Sequence, residues 1–261
     1  MDGTLTEPRK NLDNSMLDAI SLLAQYADIG IVSGSPMEYI QEQCGLIFNN
    51  FNERWLQDLT IMPCNGTQKY TWANDRWHPQ TLLDMREHIG EKTFNLLMVE
   101  LIEAQYVCSL TSAHYGYKMT GHHISYRGSM VNWSPIGRNA NSADRELFTT
   151  ADIKHNIRTK SFNKLIKREE LTEKLAFSLG GSTSIDIYPH GWDKTYALNH
   201  YDTSDRIWFI GDRCLAPHGN DKPLYDKINQ VNPGCAIETS GPTETIKLIQ
   251  GIISSIEGSS D

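Results

Sequence analysis

The sequence predicts an α/β fold whose mostly parallel sheet is interrupted by an α+β insert. Three apolar runs end in small or polar residues, which is typical of buried strands followed by turns: "DIGIVSGS", "LTIMPCNG" and "RIWFIGD". An apolar residue recurs at helical spacing from Met16 to Leu23, which predicts a helix over about residues 13–26, and "TETIKLIQGIISSI" predicts a closing helix. Strands that alternate with helices favour a parallel sheet covered on both faces.

The middle of the chain, residues 82–188, has a different pattern. "HHISYRGSMVNWSPIG" and "STSIDIYP" favour antiparallel strands, and "SFNKLIKREELTEKLAFSLG" favours a surface helix that ends at Gly180. We therefore expect a core made of residues 1–81 and 189–261, with residues 82–188 inserted as a separate domain.

The composition excludes several classes of protein. A net charge of −8 argues against nonspecific binding of nucleic acid. The five cysteines are odd in number and show no CxxC spacing, which favours a reducing compartment over a disulfide framework. No uninterrupted apolar run approaches the roughly 18 residues that span a bilayer, and no signal-peptide pattern is visible in the residues given. We expect a cytoplasmic protein that binds neither nucleic acid nor membrane.

Four segments carry residues suited to phosphoryl chemistry. Asp2 lies in a DG turn, Ser33 follows a strand and could hold phosphate oxygens, and Lys194 could neutralise a phosphate as a point charge. Asp212 and Asp221 share one Gly-containing loop and suit Mg²⁺, which prefers oxygen ligands. Each segment alone also fits an ordinary turn or a solvated side chain.

The order of these segments resembles the motif series of the haloacid dehalogenase (HAD) superfamily, and the insert resembles its type-2B cap. "DGTLTEPR", "VNWSPIGR", "GWDK" and "GDRCLAPHGND" together resemble the eukaryotic-type phosphomannomutase family over nearly the whole chain. The resemblance implies a HAD-like Rossmannoid core, an α+β cap that binds the distal phosphate, Mg²⁺ as cofactor and an aspartyl-phosphate intermediate.

The resemblance also implies roles for individual residues. Asp2 matches the general acid/base, and Lys194 is expected to stabilise the transferring phosphoryl group. The expected metal site comprises Asp2, through its backbone carbonyl, together with Asp212 and Asp221. With Ser33, the expected substrate-binding residues are Arg9, Arg127, Arg138, Arg145, Ser184 and Asp186.

The three arginines of the insert suit a second phosphate site. A mutase holds a bisphosphate at both ends, and the planar guanidinium fork pairs bidentately with phosphate. For any one of these arginines, an ordinary surface salt bridge is an equally good interpretation. The three together, each at a motif position, favour the phosphate site.

One position of the HAD series lies outside the sequence given. In the DxDGTxT motif the first Asp attacks phosphorus, and that position falls one residue before Met1. We expect that Met1 is an internal methionine of a longer chain reading Asp-Met-Asp-Gly-Thr. Without the preceding central strand, two ladders of backbone hydrogen-bonding groups should lie open. A smaller departure is that the loop before Asp221 is one residue longer and carries Pro217-His218.

Three functions are compatible with these residues. The first is the interconversion of mannose 6-phosphate and mannose 1-phosphate for GDP-mannose synthesis, with hexose 1,6-bisphosphate as activator. The second is a sugar-phosphate phosphatase on the same fold. The third is a non-catalytic phosphosugar-binding protein, if the chain truly begins at Met1. The resemblance further implies a homodimer formed through the cap.

Overall fold

The computed structural model describes residues 1–216, 219–231 and 234–258, so Pro217 and His218 lie outside the described residues. The helices are α1 (Asn14–Leu23), α2 (Met37–Gln43), α3 (Gly45–Asn50), α4 (Glu53–Gln57), α5 (Met85–Ile89), α6 (Glu91–Tyr115), α7 (Ser142–His155), α8 (Ile157–Leu165), α9 (Glu169–Thr172), α10 (Lys222–Val231) and α11 (Pro242–Glu257). The strands are β1 (Ile29–Val32), β2 (Leu59–Met62), β3 (Gln68–Ala73), β4 (Arg76–Leu82), β5 (Ile124–Tyr126), β6 (Val131–Trp133), β7 (Leu175–Gly180), β8 (Ser184–Pro189), β9 (Trp208–Gly211) and β10 (Cys235–Glu238). Short 3₁₀ helices span Cys64–Gly66 and Lys194–His200.

The chain forms two compact units. The first comprises Met1–Leu82 and Trp192–Asp261, and the second comprises Leu83–Gly191. The sequence predicts the insert at residues 82–188. The first unit therefore corresponds to the predicted core and the second to the predicted cap.

The strands of the first unit form two separate sheets. One sheet has the order β1-β2-β3-β4, with β1 and β2 parallel and the remaining pairs antiparallel. The other consists of the parallel pair β9 and β10. The α/β class is confirmed, and the antiparallel β3–β4 hairpin is an addition that the sequence patterns do not predict.

A cavity of about 480 Å³ borders an edge of each sheet of the first unit. Its lining includes all of β1, residues Trp208 to Ile210 of β9, and Met1. Among the described strands, β1 pairs only with β2, and β9 pairs only with β10. Each of these two strands therefore has one edge that pairs with no other described strand, and both edges lie beside the cavity.

Helices α1 and α11 pack their apolar faces together in the core of the first unit. Asp13 caps α1 by accepting a hydrogen bond from the Met16 amide, and α1 then buries Met16 and Ile20. Both side chains join a cluster that includes Ile249 of α11. Fully burying an aliphatic side chain of this size contributes roughly 2 kcal/mol, so this packing stabilises the contact between α1 and α11.

The second unit is an antiparallel sheet with the order β5-β6-β8-β7, packed with helices. This agrees with the predicted α+β insert. The predicted helix through Gly180 is wrong over its last part, because residues Leu175–Gly180 form strand β7 rather than helix. Six register pairs join β7 to β8, from Leu175 opposite Pro189 to Gly180 opposite Ser184. Tertiary pairing here overrides a local pattern that is also compatible with helix.

Helix α6 is the longest element described. By length and composition alone it could cross a membrane, a test that core helices of soluble proteins also pass. It buries Phe94, Leu97 and Leu101 within the second unit, together with the carboxylate of Glu100, which accepts a hydrogen bond from Arg168. A buried carboxylate with an arginine as its partner favours packing in protein over a lipid environment.

Candidate active site

A tight turn at the start of the chain lies against Asp212. Gly3 has φ +75°, and a Cβ atom added there would lie 2.5 Å from Asp212 Oδ2, so glycine is required for both the conformation and the contact. The hydroxyl of Thr4 donates to Asp212 Oδ1 at 3.2 Å. The DG turn and the loop after β9, which are distant in sequence, thus meet as predicted.

Lys194 and Asp221 form a buried ion pair beside this turn. Lys194 begins the 3₁₀ helix that Asp193 caps, and its Nζ donates to Asp221 Oδ1. The Arg213 amide donates to Asp221 Oδ2 at 3.1 Å. Burial alone would raise the pKa of the Asp221 carboxyl, but the Lys194 ammonium outweighs burial and holds that pKa below its usual value.

Two further charged groups share this environment. Burial raises the pKa of the Asp212 carboxyl, and the nearby Asp221 carboxylate raises it further. The α-ammonium of Met1 is also buried here; burial lowers its pKa, and the Lys194 ammonium lowers it more. The carboxyl groups of Asp212 and Asp221 and the Lys194 ammonium therefore interact within one water-poor site.

The side chain of Asp2 has partners of its own. Its Oδ1 accepts hydrogen bonds from the Arg9 amide and from Gln43 Nε2, each at 2.9 Å. Arg9 itself is exposed and has φ 61°. The structure thus brings the backbone of Arg9 to Asp2.

Ser33 joins the ends of β1 and β2. Its amide donates to the Met62 carbonyl at 3.1 Å, its carbonyl accepts from the Asn65 amide at 2.8 Å, and its hydroxyl accepts from the Ser35 amide at 3.1 Å. Asn65 has φ 66° and donates through Nδ2 to the Trp192 carbonyl. Ser33 and Asn65 therefore meet at the carboxyl edge of β1 and β2, which is where polar residues that follow parallel strands come together.

The carboxylates of Asp212 and Asp221 provide the oxygen ligands and the negative charge that a divalent cation requires. Asp212 and Asp221 lie close enough to raise the pKa of Asp212, a repulsion that a bound cation would relieve. Among the described residues, no three His, Cys, Asp or Glu side chains converge to hold a metal by themselves. A metal at Asp212 would therefore also need oxygen donors of another kind, such as the backbone carbonyl expected from Asp2.

In the second unit, a hydrogen-bonded chain joins two of the predicted residues. Arg138 Nη1 donates to Asn132 Oδ1 at 3.1 Å, and Asn132 Nδ2 donates to Asp186 Oδ1 at 2.6 Å. Asn132 and Asp186 are direct partners across β6 and β8. This chain was not predicted, since a single asparagine inside the "VNWSPIGR" motif carries no chemical signal of its own.

Arg145 reaches the same sheet through the turn between β7 and β8. Its Nη1 donates to the Thr183 hydroxyl at 2.8 Å, and its Nε donates to the Ala140 carbonyl at 3.1 Å. The Thr183 carbonyl accepts a hydrogen bond from Ser134 at the end of β6. The Ser184 hydroxyl donates to the Gly180 carbonyl across the turn. Arg145 and Ser184 are thus tied to one turn.

Arg127 and Arg158 complete the description of this region. Arg127 lies in the turn between β5 and β6, where its amide donates to the Met130 carbonyl. Arg158 was not predicted; it pairs with the buried Asp152 at 2.6 Å and donates to the carbonyls of Gly181 and Ser184. Arg158 therefore stabilises the turn that carries Thr183 and Ser184.

Comparison with known proteins agrees with the motifs. A profile described as eukaryotic phosphomannomutase matches residues 16–255. The phosphomannomutase of Glycine max is 32% identical over 253 residues, which cover 95% of this chain and 91% of that protein. The phosphomannomutase of Saccharomyces cerevisiae is 30% identical, with 95% of this chain and 90% of that protein covered.

Solved structures agree on the fold. An IMP-bound, N-terminally truncated IMP-nucleotidase of Plasmodium falciparum superimposes with a TM-score of 0.60 at 16% identity, covering 97% of this chain. The chain spans 66% of the length of that nucleotidase. At this identity the likeness shows the HAD-like fold alone, whereas the profile and the curated relatives cover nearly the whole chain at higher identity. The chain therefore belongs to the eukaryotic phosphomannomutase family.

Proposed function

We propose that this protein interconverts mannose 6-phosphate and mannose 1-phosphate. The observation that carries the proposal is the presence of one set of phosphate-binding candidates in each unit of a chain from this family. The first unit supplies Lys194 beside Asp212, and the second supplies Arg138 and Arg145, each tied into the sheet. A hydrolase needs to hold one phosphate, whereas a mutase must hold both ends of a bisphosphate.

In this proposal Asp2 moves the proton on the sugar hydroxyl, and Lys194 stabilises charge on the transferring phosphoryl group. Ser33 holds phosphate oxygens, and Arg9 contacts the sugar phosphate. The aspartyl-phosphate expected for the family, formed from hexose 1,6-bisphosphate, requires an aspartate at the position directly before Met1. Its phosphoryl group passes to the free hydroxyl of the sugar monophosphate.

We propose Mg²⁺ as the cofactor, held by Asp212, Asp221 and the backbone carbonyl of Asp2. When bound, the ion would neutralise charge on the phosphoryl oxygens. The pair of carboxylates supports this assignment because burial, and then repulsion from Asp221, raises the pKa of Asp212, and a bound cation would offset both. Asp221 also holds Lys194 in place through their ion pair.

The second unit is proposed to bind the distal phosphate through Arg127, Arg138 and Arg145, and the sugar through Ser184 and Asp186. Arg145 donates to the Thr183 hydroxyl and Arg138 donates to Asn132 Oδ1, and these contacts support the assignment because they orient both guanidinium groups on the sheet of the second unit.

The proposal is tested by product analysis. The protein should be assayed as residues 1–261 and with an apolar segment ending in Asp joined ahead of Met1. With mannose 1-phosphate, Mg²⁺ and hexose 1,6-bisphosphate, we expect the extended chain to form mannose 6-phosphate. Release of inorganic phosphate as the main product would instead support the phosphatase.

A second candidate function is non-catalytic binding of a phosphosugar by residues 1–261. The observation that favours it is that Lys194, Asp212 and Asp221 interact in one buried cluster, which could hold a phosphate and a cation without any covalent step. Binding of mannose 1-phosphate without any turnover in either form of the chain would support this candidate over the mutase.

We also propose a homodimer formed through the second unit. Helix α6 exposes an apolar stripe at helical spacing, with Val99, Ile102, Tyr106 and Leu110 each more than half exposed. Replacing Ile102 by Glu would place charge at the centre of this stripe and should shift the mass measured by light scattering from dimer to monomer. Replacing the exposed Lys160 by Glu is the control and should leave the mass unchanged. A monomeric wild-type protein would contradict the proposal.

We propose a cytoplasmic location and a role in supplying mannose 1-phosphate for GDP-mannose synthesis. The five cysteines are all free thiols, which supports a reducing compartment. Neither nucleic acid nor membrane is proposed as a partner, given the net charge of −8.

A further inference from the structure

We propose that Asn132 is a positioning residue that orients Arg138 and Asp186 for binding of the sugar phosphate. This inference rests on the proposed function, because it assumes that these two side chains contact the ligand. The inference adds Asn132 as a residue that affects ligand binding through Arg138 and Asp186.

Asn132 lies inside the sheet of the second unit with 3% of its surface exposed. It is the register partner of Asp186, and directly opposed residues of an antiparallel pair bring their Cβ atoms to about 5 Å. At that separation a short amide reaches the carboxylate, and Nδ2 lies 2.6 Å from Asp186 Oδ1. The carboxylate therefore receives a charge-assisted hydrogen bond within the sheet.

The oxygen of the Asn132 amide faces a hydrogen-bond donor, and its nitrogen faces a hydrogen-bond acceptor. A guanidinium only donates and a carboxylate only accepts, so Oδ1 must face Arg138 and Nδ2 must face Asp186. Aspartate at position 132 would place two carboxylates side by side, and leucine would satisfy neither neighbour. Asparagine satisfies both while adding no charge between them.

Gly180 confines Asp186 from the other side. A Cβ atom added at Gly180 would lie 2.4 Å from Asp186 Oδ2 and 2.9 Å from Oδ1, so the carboxylate occupies the space that a side chain would fill. Asp186 is thus held between Asn132 and the backbone of β7. The carboxylate that is proposed to bind the sugar therefore has a defined orientation before the ligand arrives.

A purely structural role for Asn132 makes a different prediction. If the amide only completed the sheet, its loss would lower the melting temperature, and any variant that restored folding would restore binding. If it positions the two side chains, binding depends on where the carboxylate lies. The reciprocal exchange Asn132→Asp with Asp186→Asn separates these cases, because it keeps an amide opposite a carboxylate but moves the charge from β8 to β6.

The test is the Kd of mannose 1-phosphate for residues 1–261 in the presence of Mg²⁺, measured by calorimetry alongside the melting temperature. We expect Asn132→Leu to weaken binding by about tenfold, the loss that corresponds to roughly one hydrogen bond. We expect the reciprocal exchange to melt above the single variant Asn132→Asp and still to bind weakly. The exposed Asn163→Ala is the matched control and should bind as the wild type does.

Three results would overturn the inference. Wild-type affinity in Asn132→Leu would show that the amide does not position the binding groups. Wild-type affinity in the reciprocal exchange would show that only sheet integrity matters. Failure of the wild type to bind mannose 1-phosphate, both as residues 1–261 and with the apolar segment and Asp joined ahead of Met1, would contradict the proposed function, and the inference with it.

Discussion

A chain with about five apolar residues and an aspartate joined ahead of Met1 should be more stable to urea than residues 1–261, by on the order of 5 kcal/mol. The added segment can pair with the open edges of β1 and β9 and fill the cavity of about 480 Å³ between them. Each buried aliphatic side chain contributes roughly 2 kcal/mol and each new hydrogen bond about 1 kcal/mol, against about 1–2 kcal/mol per residue of backbone entropy. The extension also replaces the buried α-ammonium of Met1 with a neutral amide.

The measurement is the free energy of unfolding, with hydrogen exchange at the amides of β1 and β9 as a local readout. A Gly-Ser segment of equal length is the control, because it adds chain without apolar side chains. We expect slow exchange at both strands only with the apolar segment. Equal stabilisation by the two segments would show that the cavity is not a strand site.

Replacing Lys194 by Met should lower the free energy of unfolding by about 3 kcal/mol. The substitution leaves the Asp221 carboxylate buried without its strongest partner, and the Met1 α-ammonium compensates only in part. Phosphate binding should also be lost, because the remaining charge on the site is more negative. Urea denaturation and calorimetric binding of mannose 1-phosphate measure the two effects.

The control for Lys194 is Lys222→Met. Lys222 pairs with Asp226 at 3.0 Å, but both side chains are 41% exposed, so its loss should cost no more than about 1 kcal/mol. The double variant Lys194→Met with Asp221→Asn should recover part of the lost stability, because it removes both buried charges together. No recovery in the double variant would contradict the assignment of the effect to an unpaired carboxylate.

Part of the fold follows directly from the sequence. Strands β1, β2 and β9 each combine apolar residues with a glycine, serine or asparagine that stops the strand, so both their positions and the polar residues after them are predictable. Strand β7 is not predictable in this way. "LAFSLG" follows a helix without a strong break, and its strand conformation depends on pairing with β8, which lies beyond a turn.

The candidate site likewise contains some residues that the sequence predicts and others that it does not. The order of the motifs predicts Asp2, Lys194, Asp212 and Asp221, and the structure places Lys194 on Asp221 although 27 residues separate them. The partners that orient these groups are not predictable, because Asn132, Thr183 and Arg158 belong to residue types that serve many structural roles. Their importance follows only from the atoms that they contact.

The most direct test of the central claim is the dependence of turnover on a bisphosphate. If phosphate is held at both ends of the sugar, the extended chain should convert mannose 1-phosphate to mannose 6-phosphate rapidly with added hexose 1,6-bisphosphate and slowly without it. Arg145→Ala should reduce this conversion strongly. An equal rate of conversion with and without added bisphosphate would contradict a mutase that binds both phosphates. An undiminished rate in Arg145→Ala would contradict it as well.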